Sequence, residues 1–181
     1  SGPMPRLFVG LELPEPIKER LLLAQGGVIG ARWQNVDQLH LTLRFIGDVD
    51  GRTADDVDAA LAALRFNRLS LSLQGVGAFG RPGQPRLLWA GVQPKSPLLR
   101  LHNKIDHGLV TIGLPAAERR YDPHVTLARF SGRGGPIDAF LAANGDFATT
   151  VFEVGYVSLF TSSLGRGGAH YDVVGRYPAK K

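Results

Sequence analysis

Two short segments of the chain contain the same pair of reactive side chains. Residues 40–45 read His-Leu-Thr-Leu-Arg-Phe, and residues 124–130 read His-Val-Thr-Leu-Ala-Arg-Phe. Histidine can accept or donate a proton near neutral pH, because its ordinary pKa is about 6.5. A threonine hydroxyl can donate a hydrogen bond to an oxygen atom on which negative charge develops. The repeated pair therefore indicates proton transfer beside an anion.

The spacing within each segment determines where the two side chains point. In a β-strand, residues two positions apart lie on the same face of the sheet. His40 therefore shares a face with Thr42, and the apolar residue between them points toward the core. His124 and Thr126 have the same relation in the second segment. If two related halves of the chain face each other, both pairs converge on one cleft.

Such a cleft suits phosphoryl chemistry. A neutral imidazole can remove a proton from water, and an imidazolium can donate a proton to a leaving oxygen. In-line displacement needs the base and the acid on opposite sides of the phosphorus atom, which two facing motifs provide. No metal ion is required for this chemistry. A zinc site is disfavoured, because threonine is a poor zinc ligand and no third histidine or carboxylate has ligand spacing.

Two alternatives involve no chemistry. A histidine or threonine in a strand is usually an ordinary, partly exposed residue, and one His-x-Thr segment alone would have no diagnostic value. A repeated pair can also be a relic of duplication in an inactive protein. The presence of two copies, each within an apolar strand-like run, favours a functional pair over both alternatives.

The remaining sequence supplies the elements that must position these segments. Alternation or apolar runs predict strands over residues 6–13, 39–46, 69–73, 87–92 and 124–130, and a strand-rich tail over 147–177. Helical spacing of apolar residues predicts helices over residues 14–23, 53–64, 97–110 and 137–142. Helices alternate with pairs of strands, and each half has one His-x-Thr strand. This order favours an α+β fold with two related lobes over a doubly wound parallel sheet.

Local signals set the expected boundaries of these elements. Thr53 is expected to cap its helix, Ser96-Pro97 to open the next helix, and Gly113 to end it. The glycine-rich stretch 75–83 is expected to be a turn between two strands.

Composition excludes several classes of protein. The chain has 181 residues, 44% of them hydrophobic, which indicates one globular domain; we expect it to span residues 4–181, with Ser1–Pro3 a remnant of cloning. Because cysteine is absent, disulfides, thiolate nucleophiles and cysteine-ligated metals are excluded. Neither a run of about 18 apolar residues nor a signal peptide is found, so we expect a cytoplasmic protein without a membrane partner.

The charge of the chain is basic and dominated by arginine. The net charge is +5, and 16 of the 21 basic residues are arginine. A guanidinium group can bind a phosphate through two parallel hydrogen bonds, which an ammonium group cannot do. The arginines are spread along the chain, which indicates a phosphate-binding surface rather than a basic tail. A coding preference for arginine would explain the same composition and stays open.

Several further residues have weaker signals. His102 and His107 lie on different faces of the third predicted helix, and both are expected at the surface. His170 follows a glycine-rich loop and is a minor candidate for the rim of the cleft. Trp89, in an apolar strand, is expected in the core, with cleft lining as the alternative. The segment 161–164 is a candidate source of an extra hydroxyl near the substrate.

These segments resemble the two-histidine phosphoesterase superfamily, and more closely the bacterial and archaeal RNA 2′,3′-cyclic phosphodiesterases, also called 2′-5′ RNA ligases. The resemblance extends over nearly the whole chain from Arg6 and includes residues 6–14, 39–47, 85–92 and 123–129. It implies a bilobal α+β fold, with two pseudo-symmetric lobes whose antiparallel sheets line a central cleft and with helices on the outside. It also implies cofactor-free opening of a 2′,3′-cyclic phosphate to a 2′-phosphate.

The resemblance also implies roles for the motif residues. His124 would activate the attacking water and His40 would protonate the leaving 3′ oxygen, although the pseudo-symmetry leaves this split open. Thr42 and Thr126 would hold the phosphate. Arg129, just after the second motif, would lie near the phosphate or the base.

Phe8, on the first strand, is a candidate for stacking on a base, with a plain core role as the alternative. The expected partners are RNA 3′ ends or nucleotides with a 2′,3′-cyclic phosphate, and the expected state is a monomer. Other functions stay open: cleavage or formation of 2′-5′ linkages, hydrolysis of an ADP-ribose cyclic phosphate, or RNA binding without turnover, which only the basic charge favours.

Overall fold

The computed structural model describes residues 4–180; Ser1–Pro3, attributed above to cloning, and Lys181 lie outside the described residues. The strands are β1 (Arg6–Glu12), β2 (Arg32–Trp33), β3 (His40–Asp48), β4 (Leu69–Arg81), β5 (Gln84–Gln93), β6 (His124–Arg129), β7 (Phe152–Val154), β8 (Tyr156–Gly165) and β9 (Gly168–Pro178). The helices are α1 (Glu15–Leu23), α2 (Gly51–Ala62), α3 (Lys95–Thr111) and α4 (Asp138–Ala143), with a 3₁₀ turn at Val36–Gln38.

Across residues 4–180, the strands form one nine-stranded sheet in the order β7-β4-β5-β6-β3-β1-β8-β9, with β2 paired to β6. The strand pairs are antiparallel. Helix α3 contacts β3, and α2 contacts both α3 and β9. The expected α+β fold with antiparallel strands is therefore confirmed. No helix in this part of the chain is long and apolar enough to cross a membrane.

The two motif strands lie side by side in the middle of the sheet. Moving outward from β3, the neighbours are β1, β8 and β9; moving outward from β6, they are β5, β4 and β7. Each motif strand thus begins a set of four antiparallel strands. The two sets meet where Leu41 on β3 is opposite Val125 on β6. The two related lobes are consequently halves of one continuous sheet.

Apolar spacing explains why these segments form these elements. The buried apolar residues of α3 follow helical spacing: Leu98, Leu101, Ile105 and Leu109. On β3, Leu41 and Leu43 point into the core and alternate with the half-buried His40 and Thr42. A helix with one apolar stripe packs on a strand with one apolar face, and both apolar surfaces are then buried.

Two of the expected helix starts are wrong by a few residues. The cap of α2 is Asp50, whose carboxylate accepts a 2.7 Å hydrogen bond from the N–H of Thr53, so Thr53 lies inside the first turn. Helix α3 begins at Lys95, and Ser96-Pro97 lies within its first turn, where an N–H group needs no partner from the helix. The expected end of α3 is confirmed, because the helix stops at Thr111, just before Gly113.

The glycine-rich stretch 75–83 is mostly strand, not turn. Strand β4 continues to Arg81 and pairs with β5 across a short hairpin. Gly77 lies opposite Trp89, and a methyl group on Gly77 would overlap the Trp89 ring. At this position glycine makes room for a cross-strand ring rather than reversing the chain.

Replacing Leu41 by alanine is expected to lower the free energy of unfolding by about 2–5 kcal/mol, because the change leaves a cavity where the two halves of the sheet meet. Urea denaturation measures this difference. The matched control is Leu164→Ala, at a position that is 90% exposed, where the change should be within about 0.5 kcal/mol. Equal losses in the two variants would contradict the role of Leu41 in the core.

Candidate active site

The four motif side chains share one face of the sheet. Leu41 and Val125 are directly opposite each other and are both fully buried on the other face. Because β3 and β6 are antiparallel, the residue before one member of this pair lies across from the residue after the other. Each motif histidine is therefore opposite the threonine of the other motif. The two histidines occupy diagonal positions, which are about 7–8 Å apart in such a pairing.

The His40 ring is held by hydrogen bonds at both nitrogens. Its Nδ1 lies 2.8 Å from the carbonyl oxygen of Gln38, and its Nε2 lies 2.8 Å from the hydroxyl oxygen of Thr42. A carbonyl oxygen can only accept, so Nδ1 is the protonated nitrogen of the neutral ring. The lone pair of Nε2 then accepts a hydrogen bond from the Thr42 hydroxyl.

The His124 ring is oriented in the same way. Its Nδ1 lies 2.8 Å from the carbonyl oxygen of Asp122, again two residues earlier in the chain. Nδ1–H therefore donates to this carbonyl, and Nε2 is left as the basic nitrogen of the neutral ring. The repeat in sequence is thus matched by a repeat in the orientation of both imidazoles.

Burial is the main influence on the pKa of His40. The pKa is lowered to about 4, first because the ring is withdrawn from water, which disfavours its charged form. The hydrogen bond to Gln38 acts in the opposite direction. The positive charges of Arg129 and of protonated His124 lower the pKa further. His40 is therefore neutral near pH 7 in the free protein.

The pKa of His124 is also lowered, and burial is again the largest cause. Its hydrogen bond to the carbonyl of Asp122, and the charge of that residue, act in the opposite direction, whereas the guanidinium groups of Arg129 and Arg86 lower the pKa. The ring of Phe79 meets the His124 ring edge-on, with 5.1 Å between centroids. Both motif imidazoles are thus harder to protonate than an exposed histidine, and a nearby negative charge would favour their protonated forms.

An aromatic cluster supports His40. The Phe8 and His40 ring centroids are 4.9 Å apart, and Phe160 stacks on Phe8 at 4.7 Å with an interplanar angle of 4°. Tyr171 meets the His40 ring edge-on at 5.1 Å. Phe8 is only 4% exposed and packs against the imidazole, yet it lies outside the main apolar cluster and lines the same cavity as His40. Base stacking on Phe8 stays a prediction.

The motif residues line an open cleft that consists of two adjoining cavities. The serine cavity, about 540 Å³, is lined by His40, Ser162 and Ser163 among others. The arginine cavity, about 640 Å³, is lined by His124 and Thr126 and by several arginines, among them Arg86, Arg119 and Arg120. Thr42, Phe45 and Arg129 line both cavities. The structure therefore brings together both histidines, both threonines and Arg129.

Within the segment 161–164, Ser162, Ser163 and Leu164 line the serine cavity. A hydroxyl of this segment near the substrate stays a prediction. Arg129 is exposed and lies at the junction of the two cavities. Among residues 4–180, no three histidine, aspartate or glutamate side chains are grouped as potential metal ligands. A reaction without a cofactor stays a prediction.

The expectation that His102 lies at the surface is wrong. Its ring is 8% exposed, and its Nδ1–H donates a 2.7 Å hydrogen bond to the carbonyl of Leu43. The His102 ring also stacks on Tyr121, with 4.4 Å between centroids and an interplanar angle of 8°. The Tyr121 hydroxyl donates to the carbonyl of Thr42 at 2.8 Å. The segment that precedes the second motif is therefore tied to the first motif strand, which no sequence signal indicated.

The other expectations for single residues have mixed outcomes. His107 is exposed, as expected. His170 is exposed and lies 3.2 Å from the carboxylate of Asp172, and it lines neither cavity. Trp89 is half-buried across the β4–β5 hairpin, 5.7 Å from the Phe79 ring, rather than in the main core, and it too lines neither cavity.

The sequence matches the family model described as LigT like phosphoesterase over two successive stretches, residues 11–89 and 91–171. Each stretch contains one His-x-Thr strand. The chain belongs to the LigT-like phosphoesterase family. The two matches also support the internal repeat that the motifs indicated.

Several LigT-like proteins are similar over most of this chain. An RNA 2′,3′-cyclic phosphodiesterase from Aeropyrum pernix is 37% identical over 138 residues, which are 75% of this chain and 78% of that protein. A protein of the same name from Archaeoglobus fulgidus is 32% identical over 127 residues, 68% of this chain and 72% of that protein. The crystal structure of E. coli LigT complexed with 3′-AMP has the same fold, with a TM-score of 0.77, 24% identity, and coverage of 99% of this chain and 100% of that chain.

Replacing Arg129 by glutamine is expected to raise the pKa of both His40 and His124, because it removes a positive charge that disfavours both imidazolium forms. NMR titration of the ring signals measures the two values. In the wild-type chain, His40 should titrate near pH 4 and His124 below its ordinary value of about 6.5. Unchanged values for His40 and His124 would contradict the electrostatic role of Arg129.

Proposed function

We propose that this chain hydrolyses 2′,3′-cyclic phosphates of RNA ends or nucleotides to 2′-phosphates, with His40 and His124 as the proton-transfer pair. Two oriented imidazoles at diagonal positions of one cleft support the proposal most directly. The names of the two relatives, both RNA 2′,3′-cyclic phosphodiesterases, agree with it. The 3′-AMP complex of E. coli LigT shows that this fold can bind a nucleotide.

In the proposed reaction, the phosphate lies between the two imidazoles. Nε2 of His124 takes a proton from water as the water oxygen forms a bond to phosphorus. The bond between phosphorus and O3′ breaks, and Nε2 of His40 donates its proton to O3′. The bond to O2′ is kept, so the products are a 2′-phosphate and a 3′-hydroxyl. His124 gains a proton from the water and His40 loses its own proton to O3′. The two histidines together therefore carry the same number of protons before and after the reaction.

The two threonines hold the phosphate in this scheme. Their hydroxyls donate hydrogen bonds to the nonbridging oxygens, on which negative charge increases as the bond to water forms. In the free protein the Thr42 hydroxyl donates to Nε2 of His40. Binding of the phosphate redirects this hydroxyl to an oxygen of the substrate. Nε2 of His40 is then released to carry the proton for O3′.

The assignment of His40 as donor requires the substrate to supply a negative charge. His40 is neutral in the free protein, because its pKa is lowered to about 4. A cyclic phosphate carries one negative charge, and an anion within hydrogen-bond reach stabilises the imidazolium form. The substrate therefore raises the pKa of its own proton donor. In this scheme His40 carries the proton that O3′ needs only when a phosphate is bound.

His40→Ala and His124→Ala are each expected to lose roughly 10²–10⁴-fold in turnover of uridine 2′,3′-cyclic phosphate, the range of a general acid or base. The assay is run in excess chelator, and phosphorus NMR identifies the product as the 2′-phosphate. His107→Ala, which alters an exposed histidine of α3, is the matched control and should retain wild-type turnover.

Each alternative result has a distinct meaning. Wild-type turnover by either motif variant would remove the two-histidine mechanism. A 3′-phosphate product would keep the mechanism but overturn the assignment of O3′ as the leaving group. Loss of wild-type activity in chelator would overturn the metal-independent reaction.

The pH profiles of kcat/KM and kcat are expected to differ. The first reports the free protein and the second the complex. Because the pKa of both histidines is lowered in the free protein, the alkaline limb of kcat/KM should lie below pH about 6.5. Bound phosphate raises the pKa of the pair, so the alkaline limb of kcat should lie at higher pH. Steady-state kinetics with uridine 2′,3′-cyclic phosphate measure both limbs, and coincident limbs would contradict this coupling.

A further inference from the structure

We propose that the arginine cavity is a second anion-binding subsite, which takes backbone phosphates of single-stranded RNA on Arg86, Arg119 and Arg120. The identification of the anion as RNA rests on the proposed function. Both motif threonines line this cavity as well, but the subsite consists of other side chains, and it extends the cleft on the side of His124.

The positive charges of these three arginines are available to a ligand. Arg86 is on β5, and Arg119 and Arg120 come just before Tyr121 in the segment that joins α3 to β6. All three side chains are exposed and line the arginine cavity. Within residues 4–180, no carboxylate lies at ion-pair distance from any of them. Like charges around one cavity repel each other, so an anion between them is stabilised.

Two other charged residues of this cavity, Arg44 and Asp122, are already paired within the protein. Arg44 is 9% exposed, lies 2.8 Å from the carboxylate of Asp106 and donates to the carbonyl of Pro115. Asp122 is the acidic residue of the cavity wall, and Lys95 lies 3.7 Å from its carboxylate. The charge that remains available to a ligand is therefore positive.

The two cavities of the cleft differ in chemistry. In the serine cavity, Asp48 opposes the positive charges of Arg6 and of Arg129, which lines both cavities. The hydroxyls of Ser162, Ser163 and Tyr171 line the same cavity. This lining suits the hydroxyls and base of a nucleoside. The arginine cavity has an excess of positive charge, which suits phosphates. The charge asymmetry indicates that the cleft receives different parts of a nucleic acid on its two sides.

The size and rings of the arginine cavity also fit a polynucleotide. Its volume of about 640 Å³ is far larger than the roughly 30 Å³ that a water molecule occupies, so it has room for further groups beside the attacking water and the phosphate on Thr42 and Thr126. Phe79 and Tyr121 line the same cavity. Aromatic rings between cationic groups are typical of single-strand binding sites, because bases stack on the rings while phosphates meet the cations.

Two sources of RNA phosphate can reach this subsite. With His40 as proton donor, O3′ and the ribose lie toward the serine cavity, and water enters from the arginine cavity. Phosphates on the arginine side then belong either to the same strand, folded back past Arg129, or to a second RNA segment. Both have the same backbone chemistry, and kinetics can distinguish them.

The direct test measures binding of hexauridylate with a free 3′-hydroxyl, which cannot react, by fluorescence anisotropy at increasing salt. Three phosphate contacts predict a slope of about −2 for log K against log salt, because each single-strand phosphate contributes about −0.7. Affinity should then fall roughly 20-fold from about 50 to 200 mM salt. In the double variant Arg119→Gln/Arg120→Gln, which removes two of the three contacts, the slope should be smaller in magnitude by about 1.4. Arg100→Gln, an exposed arginine of α3 that lines neither cavity, should retain it.

The kinetic arm compares kcat/KM for uridine 2′,3′-cyclic phosphate with that for a tetranucleotide ending in the same group. If the subsite binds the same strand, the tetranucleotide should be preferred about tenfold or more, and the double variant should lose this preference. If it binds a second segment, the preference is absent, and hexauridylate changes KM for the mononucleotide in the wild type but not in the double variant. Either result supports the subsite and identifies the source.

The proposal is overturned if hexauridylate does not bind, or if the double variant keeps the salt slope of the wild type. The binding arm involves no turnover, so it stands apart from the proposed function. Failure of the wild-type chain to hydrolyse the mononucleotide would instead count against the hydrolytic function, whatever the binding arm shows.

Discussion

The register between β3 and β6 is the constraint on which the site depends. Leu41 and Val125, both fully buried, lie opposite each other where the two halves of the sheet meet. Strand side chains alternate between faces, so a slip of one residue would turn the motif histidines into the core and the apolar pair into the cleft. Burial of apolar side chains on one face therefore sets the arrangement of the motif histidines and threonines on the other. On β3 and β6, one face of each strand packs in the core and the other carries the motif side chains.

The electrostatics of the cleft favour an anion over an empty site. Withdrawal of the imidazoles from water and the nearby charge of Arg129 both lower the pKa of the two motif histidines. In the free protein both imidazoles are therefore harder to protonate than an exposed histidine. A bound phosphate reverses this, because its charge stabilises an imidazolium. The positive charges that disfavour protonation of both imidazoles also favour the binding of an anion.

The placement of the motif side chains could be predicted from the sequence because it depends on local periodicity: two-residue spacing places His40 beside Thr42 whatever the rest of the chain does. The surroundings of the site could not. Phe160 and Tyr171 come from β8 and β9, near the other end of the chain, and reach His40 only through long-range strand pairing. His102 was wrongly expected at the surface, because helical spacing does not reveal which polar residue meets a carbonyl of a neighbouring strand.

Both imidazoles are oriented by main-chain carbonyls, those of Gln38 and Asp122. Every residue type has a carbonyl, so substitution at either position leaves the acceptor in place. Insertion or deletion in the turn before a motif strand would displace the acceptor and release the ring. We therefore expect evolution to preserve the length of these two segments more strictly than the side chains at positions 38 and 122.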